Sequence, residues 1–174
     1  MNRETSYVGG MKHLYLIRHA KSGWGTSGLA DFDRTLDTRG KYDAPRKGKR
    51  LKTLGVLPDL ILTSPAIRAL TTARTIADEL GYDPGGIALE EGLYEAVPED
   101  TLNIIRATAA SCNSLMVFGH NPTMTDLINQ LSDFEVDSVP TCGAFCAAFD
   151  VERWADIKVG DGTFVFFEYP KLLE

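Results

Sequence analysis

Positive charge is scarce in this chain. Eighteen Lys and Arg against 24 Asp and Glu leave a formal net charge of −6 and a pI near 5.1. A nucleic-acid or anionic membrane surface demands a broad basic face, so both are excluded as expected partners. An anionic ligand must instead be met by a few local cations. Cysteine is equally sparse: Cys112, Cys142 and Cys146 are odd in number and lack metal-type spacing, which speaks against a disulfide framework or a zinc site. No metal or cofactor is expected, and a reducing, cytoplasmic setting fits best. Long apolar runs are missing too. Nothing approaches the roughly 20 residues needed to span a bilayer, and the polar opening "MNRETSYVGG" has no signal-peptide core. Residues 1–10 read as a disordered leader with Met11 as an alternative start, and residues 11–174 as a single domain.

What the chain does contain is a set of short, continuous apolar runs: "LYLI" at 14–17, "LIL" at 60–62 and "LMVF" at 115–118. Such runs suit strands buried on both faces, as in parallel sheets. Helical patterns lie between and after them, at 66–80, about 98–110 and 122–131, with a further helix at 38–54 despite Pro45. Two late strands, 145–150 and 163–169, flank a Gly-Asp-Gly turn and suggest an edge hairpin. The alternation predicts a three-layer α/β/α sandwich with a mostly parallel central sheet.

Two junctions share one grammar. "LILTSP" leads from a strand into Ser64 as N-cap and Pro65 at the first helical position, and "MVFGHNP" does the same with Asn121 and Pro122. Each delivers a helix N-terminus to the carboxyl end of a strand, where ligands of open α/β sheets bind. Arg18 and His19 close the first strand, Arg68 lies in the first turn after the second, and His120 closes the third. Two arginines and two of three histidines thereby converge on one rim. In an acidic protein that convergence implies a dianion, most simply a phosphoryl group, because guanidinium forks match phosphate oxygens. His13, alone before the first strand, reads as a surface residue. Gly23, Gly25 and Gly28 form a literal Gly-x-Gly-x-x-Gly, but no apolar helical period follows, so they read as a flexible loop rather than a dinucleotide site.

The motifs "LYLIRHAKS", "DFDRTLDTRG", "PDLILTSPAIRALTTA", "LYEAVPED" and "VFGHNP", taken in order, resemble the histidine phosphatase superfamily, with its phosphoglycerate-mutase-like fold. The short SixA-type phosphohistidine phosphatases are the most similar branch, since Ala20 and Lys21 follow the Arg-His pair as they do there. The resemblance implies that His19 is the nucleophile and that Arg18, Arg68 and His120 bind and stabilise the phosphoryl group. Asn121 and Ser22 are further candidates for the phosphate site. Glu95, with Glu99 behind it, is the candidate general acid, or else both are helix-flanking surface acids. Arg34 either reaches the substrate or pairs locally with Asp31 and Asp33; the pairing is preferred. The implied reaction is phosphoryl hydrolysis through a phosphohistidine intermediate. The expected partner is a phosphohistidine-bearing phosphorelay or phosphocarrier protein. A small-molecule phosphomonoesterase, or a non-catalytic phospholigand-binding module, is the alternative.

Overall fold

The computed structural model describes residues 11–25 and 28–173; the leader expected at 1–10 lies outside the described residues. Strand β1 (Lys12–Arg18) is followed by helix α1 (Thr38–Thr53), β2 (Leu60–Thr63), α2 (Ile67–Leu80), β3 (Ile87–Leu89), α3 (Pro98–Arg106), β4 (Ser114–Gly119), α4 (Thr123–Leu131), β5 (Ala144–Phe149) and β6 (Thr163–Glu168). The sheet order is β3-β2-β4-β1-β5-β6. Neighbours from β3 to β1 run parallel, while β5 and β6 form the antiparallel hairpin that the Gly-Asp-Gly turn announced.

The continuous apolar runs divide between two cores because successive strand side chains point to opposite faces. Leu14, Leu16, Leu115 and Val117 pack with Leu102, Ile105, Leu127 and Ile128 of α3 and α4. Tyr15, Ile17, Met116 and Phe118 pack with Leu51, Ala73, Ile76 and Leu80 of α1 and α2. This is the three-layer α/β/α arrangement. Each fully buried aliphatic side chain contributes roughly 1.5–3 kcal/mol, and the two central strands, buried on both faces, supply Leu14, Leu16, Ile17, Leu115 and Val117.

Three local expectations need correction. Helix α2 opens at Ile67 with Ala66 as its cap residue, so Ser64 and Pro65 precede it by more than the sequence grammar implied. Helix α4 opens at Thr123 after a cis Asn121–Pro122 bond, and neither Asn121 nor Pro122 caps it with a side chain. Helix α3 stops at Arg106 rather than near 110, its last turn closed by the Ala107 N–H to Asn103 O. Between α2 and α3 runs the edge strand β3, whose Ile and Ala are only partly buried and leave little periodicity to read.

Candidate active site

Three parallel strands end side by side, and their last residues build the site. The His19 N–H donates to Gly119 O (3.2 Å) and the Ser64 N–H to Phe118 O (3.1 Å), which continues the sheet one residue past β1 and β2. The His19 and His120 rings come to lie with centroids 5.2 Å apart. Thr72 of α2 fastens the chain that follows: its hydroxyl accepts from the Ala20 N–H (2.9 Å) while donating to Arg68 O (2.7 Å). Arg68 is thus tied to the same turn of α2 that holds the end of β1.

His19 Nδ1 lies 2.8 Å from Ala20 O. A carbonyl only accepts, so Nδ1 carries the proton and Nε2 of the neutral ring presents a lone pair. That lone pair faces the Arg68 Nε–H at 3.3 Å. Burial, reinforced by His120, Arg68 and Arg18, lowers the His19 pKa to about 3 against the pull of the Ala20 hydrogen bond. Burial and the Arg68 charge likewise take His120 down to about 4. Both rings are therefore neutral near pH 7.

A cavity of about 460 Å³ opens over these groups, and Arg18, His19, Arg68, His120, Ser22 and Asn121 all line it. Two buried nitrogens in its wall, Arg18 Nε and His120 Nδ1, have no hydrogen-bond partner among the described residues. His120 Nε2 is held by Ser64 Oγ at 2.8 Å, and that hydroxyl also accepts from the Ala66 N–H. This double engagement replaces the cap expected of Ser64. Asn121 turns its amide to Val139 O and Ser138 Oγ, fixing the loop ahead of β5.

Asp31 is the residue the sequence undersold. Its Oδ1 accepts from Arg34 Nε (3.0 Å), its Oδ2 from Arg68 Nη2 (3.0 Å) and from the Tyr94 hydroxyl (2.8 Å), while its main-chain oxygen accepts from Arg68 Nη1 (2.7 Å). Burial works to raise the Asp31 pKa, but the Tyr94 hydrogen bond and the Arg68 charge outweigh it and hold the carboxyl below its ordinary value. Arg34 makes the preferred local pair with Asp31, and it also lines the cavity, giving a hydrogen bond to Ser22 Oγ (2.9 Å). Asp33 takes no part in that pairing. Glu95 is exposed, with a positive φ of 54°, and does not line the cavity. Glu99 is exposed as well and faces Arg106 at 3.7 Å. Tyr94, which meets His120 edge-on at 5.7 Å, carried no signal in a sequence read for charged groups. Among the described residues, no three His, Cys, Asp or Glu side chains cluster so as to hold a metal ion. All three cysteines are buried, and burial pushes the thiols of Cys142 and Cys146 to about 12.

The family model of the histidine phosphatase superfamily, branch 1, matches residues 14–100, half of the chain. The chain belongs to the histidine phosphatase superfamily. Membership makes it a phosphatase with a histidine nucleophile. Among its relatives, an uncharacterized protein of Mycobacterium tuberculosis is 32% identical over 167 residues, covering 89% of this chain and 100% of that protein. An uncharacterized chloroplastic protein of Arabidopsis thaliana is 30% identical over 141 residues; the match covers 76% of this chain and only 64% of that longer protein. Among solved structures, SixA from Agrobacterium tumefaciens superposes with a TM-score of 0.78 at 28% identity, covering 91% of this chain and 98% of that one. The histidine phosphatase fold thus spans almost all of the described residues, in a SixA-type form, and among those residues no helix is long and apolar enough to cross a membrane.

Proposed function

We propose that this histidine phosphatase, acting as one domain over residues 11–174, removes the phosphoryl group from phosphohistidine on a protein, with His19 as the nucleophile. The observation that carries the reading is the pairing of a His19 Nε2 lone pair with a cavity whose one lining carboxylate, Asp31, is held ionised.

The chemistry proceeds in two steps. His19 Nε2 attacks phosphorus, and the bond to the departing imidazole breaks; the leaving nitrogen takes its proton from water. Because Nδ1 keeps its proton, the product ring is a phospho-imidazolium, and the Ala20 carbonyl that favours the charged ring stabilises it. That positive charge also makes His19 a good leaving group when water attacks phosphorus in the second step, releasing orthophosphate and returning the neutral ring. Arg18 Nε and His120 Nδ1, unpartnered at rest among the described residues, serve the equatorial oxygens, with the Ser64 hydroxyl donating a hydrogen bond to His120 Nε2 so that the neutral ring carries its proton on Nδ1. Arg68 and Ser22 complete the cradle, and Asn121 supports it from the loop before β5. Preorganised donors of this kind contribute about 10²–10³ each to turnover.

An alkoxide leaving group needs a carboxylic acid to protonate it, whereas imidazole, with an ordinary pKa of about 6.5, leaves far more readily. A cavity whose carboxylate is ionised therefore favours phosphoramidates over phosphate monoesters. The similar SixA structure carries a provisional assignment as a phosphohistidine phosphatase, in keeping with this preference. A phosphorelay or phosphocarrier protein is the partner, and buried, unactivated thiols suit the reducing cytoplasm.

The test is phosphate release from a histidine-phosphorylated protein by the wild type and by His19→Ala, in the presence of a chelator. Rapid release lost in the variant, with acid-labile label trapped on His19 of the wild type, is the expected result. Equal release by both proteins would remove His19 from the mechanism, and faster turnover of sugar phosphates or nucleotides would reassign the substrate class.

A further inference from the structure

Beside the phosphoryl cavity lies a second one, of about 440 Å³, and the two share Lys21 and Thr141 in their walls. Its remaining polar lining comes from two elements distant in sequence: Arg39 and Asp43 from α1, and Tyr169 and Lys171 from the segment after β6. Arg39 and Asp43 neutralise one another through Nε contacts of 3.0 and 2.9 Å. Lys21 and Lys171 are left as the cavity's uncompensated charges: among the described residues, neither has an ion-pair partner. A positive pocket continuous with the reaction site, on a molecule of net charge −6, is where an anionic extension of the substrate would be drawn.

The rim indicates what bears that extension. Arg34, in the wall of the phosphoryl cavity, stacks at 4.5 Å on Trp24, which is 63% exposed. Tyr42, 52% exposed, lies against Arg46 at 4.7 Å and Arg39 at 5.9 Å. Exposed Trp, Tyr and Arg are the residues that anchor protein–protein contacts, whereas a site for a small metabolite encloses most of its ligand. Two adjoining open cavities with such a rim suit a polypeptide lying across them.

We propose that the Lys21–Lys171 cavity docks an acidic segment of the phosphoprotein substrate, placing carboxylates that flank the phosphorylated residue beside the phosphoryl site. This rests on the phosphohistidine reading and specifies the partner further: its phosphorylated residue is flanked by Asp or Glu. The phosphoryl group enters the His19 cavity, and the neighbouring carboxylates meet Lys21 and Lys171.

The decisive measurement is binding to the full chain of two peptides with a central, non-hydrolysable phosphoryl-triazolylalanine. One has glutamate on both flanks and the other glutamine, and calorimetry reads the ratio of their dissociation constants. The expected result is a preference of about tenfold for the glutamate peptide at low salt, shrinking at 0.5 M as exposed pairs are screened. Lys171→Glu should bring the ratio to about one or below, with Lys21→Gln reducing it as well. Equal affinities in the wild type, no binding of the glutamate peptide, or a ratio unmoved by both substitutions would overturn the docking site. Phosphate release from phosphoramidate, measured in parallel, tests the chemistry separately. Preference without release sinks the phosphatase reading alone, and release without preference sinks the docking site alone.

Discussion

In the proposed mechanism His19 owes its reactivity to a single carbonyl. With Nδ1 committed to Ala20 O at 2.8 Å and the ring buried, the ring is a neutral base whose lone pair has one direction. Because its pKa is lowered to about 3, and that of His120 to about 4, both rings should show neutral 15N shifts at pH 6, where ordinary histidines are already mostly protonated. Stability carries the same signature. Unfolded histidines take up protons as pH falls through about 6.5 while these two do not, so the folded state loses stability from pH 7 down towards 4. The thermal midpoint should fall over that range, and His19→Asn, which removes one of the two titrations, should flatten the slope. Asp31 acts through Arg68 and not on phosphorus. Asp31→Asn weakens a charge-assisted bond to a buried guanidinium, and kcat for phosphoramidate should drop about tenfold, the equivalent of 1.4 kcal/mol.

The strands were legible because burial on both faces leaves continuous apolar runs, and β1, β2 and β4 carry those runs at 14–17, 60–62 and 115–118. The rim followed from them, since Arg18, His19, Arg68 and His120 stand at fixed offsets from strand ends. The helix starts were misread because Ser-Pro and Asn-Pro imitate a capped first turn, yet the Ser64 hydroxyl is engaged by His120 and the Ala66 N–H. The contact between Asp31 and Tyr94 stayed hidden for another reason: their bond joins residues 63 apart, through turns with no period to read. The loop after β1 also proves to be fastened where no pattern shows. The Asp37 N–H donates to Lys21 O, and the Asp37 side chain caps α1 through the Gly40 N–H at 2.8 Å. A Cβ on Gly40 would sit 2.0 Å from Lys21 O, so the loop rests directly on the first turn of α1. Gly40→Ala should cost about 1–3 kcal/mol by overpacking, and it should lower activity by shifting Lys21 and Ser22. Asp37→Ala should cost about 1 kcal/mol as a lost cap; denaturant melts of both variants measure these losses.

Across the whole molecule, charge is sorted rather than mixed. The phosphoryl cavity gathers Arg18, Lys21, Arg34 and Arg68 against Asp31, although the chain as a whole is acidic. Association with an acidic phosphoprotein should therefore slow as salt rises, while the release of phosphate from bound substrate should not; stopped-flow measurements at 50 and 500 mM salt separate the two. The same sorting changes what an empty site is. At rest Arg68 is not waiting with open donors, because Asp31 already fills its fork with a carboxylate and a carbonyl oxygen. In the proposed mechanism each turnover is then an anion exchange, in which an arriving phosphoryl group displaces an internal tenant and the tenant, on returning, evicts orthophosphate. Product inhibition by orthophosphate should therefore be weak, and Asp31→Asn, the same substitution that slows turnover, should make orthophosphate a tighter inhibitor in steady-state assays.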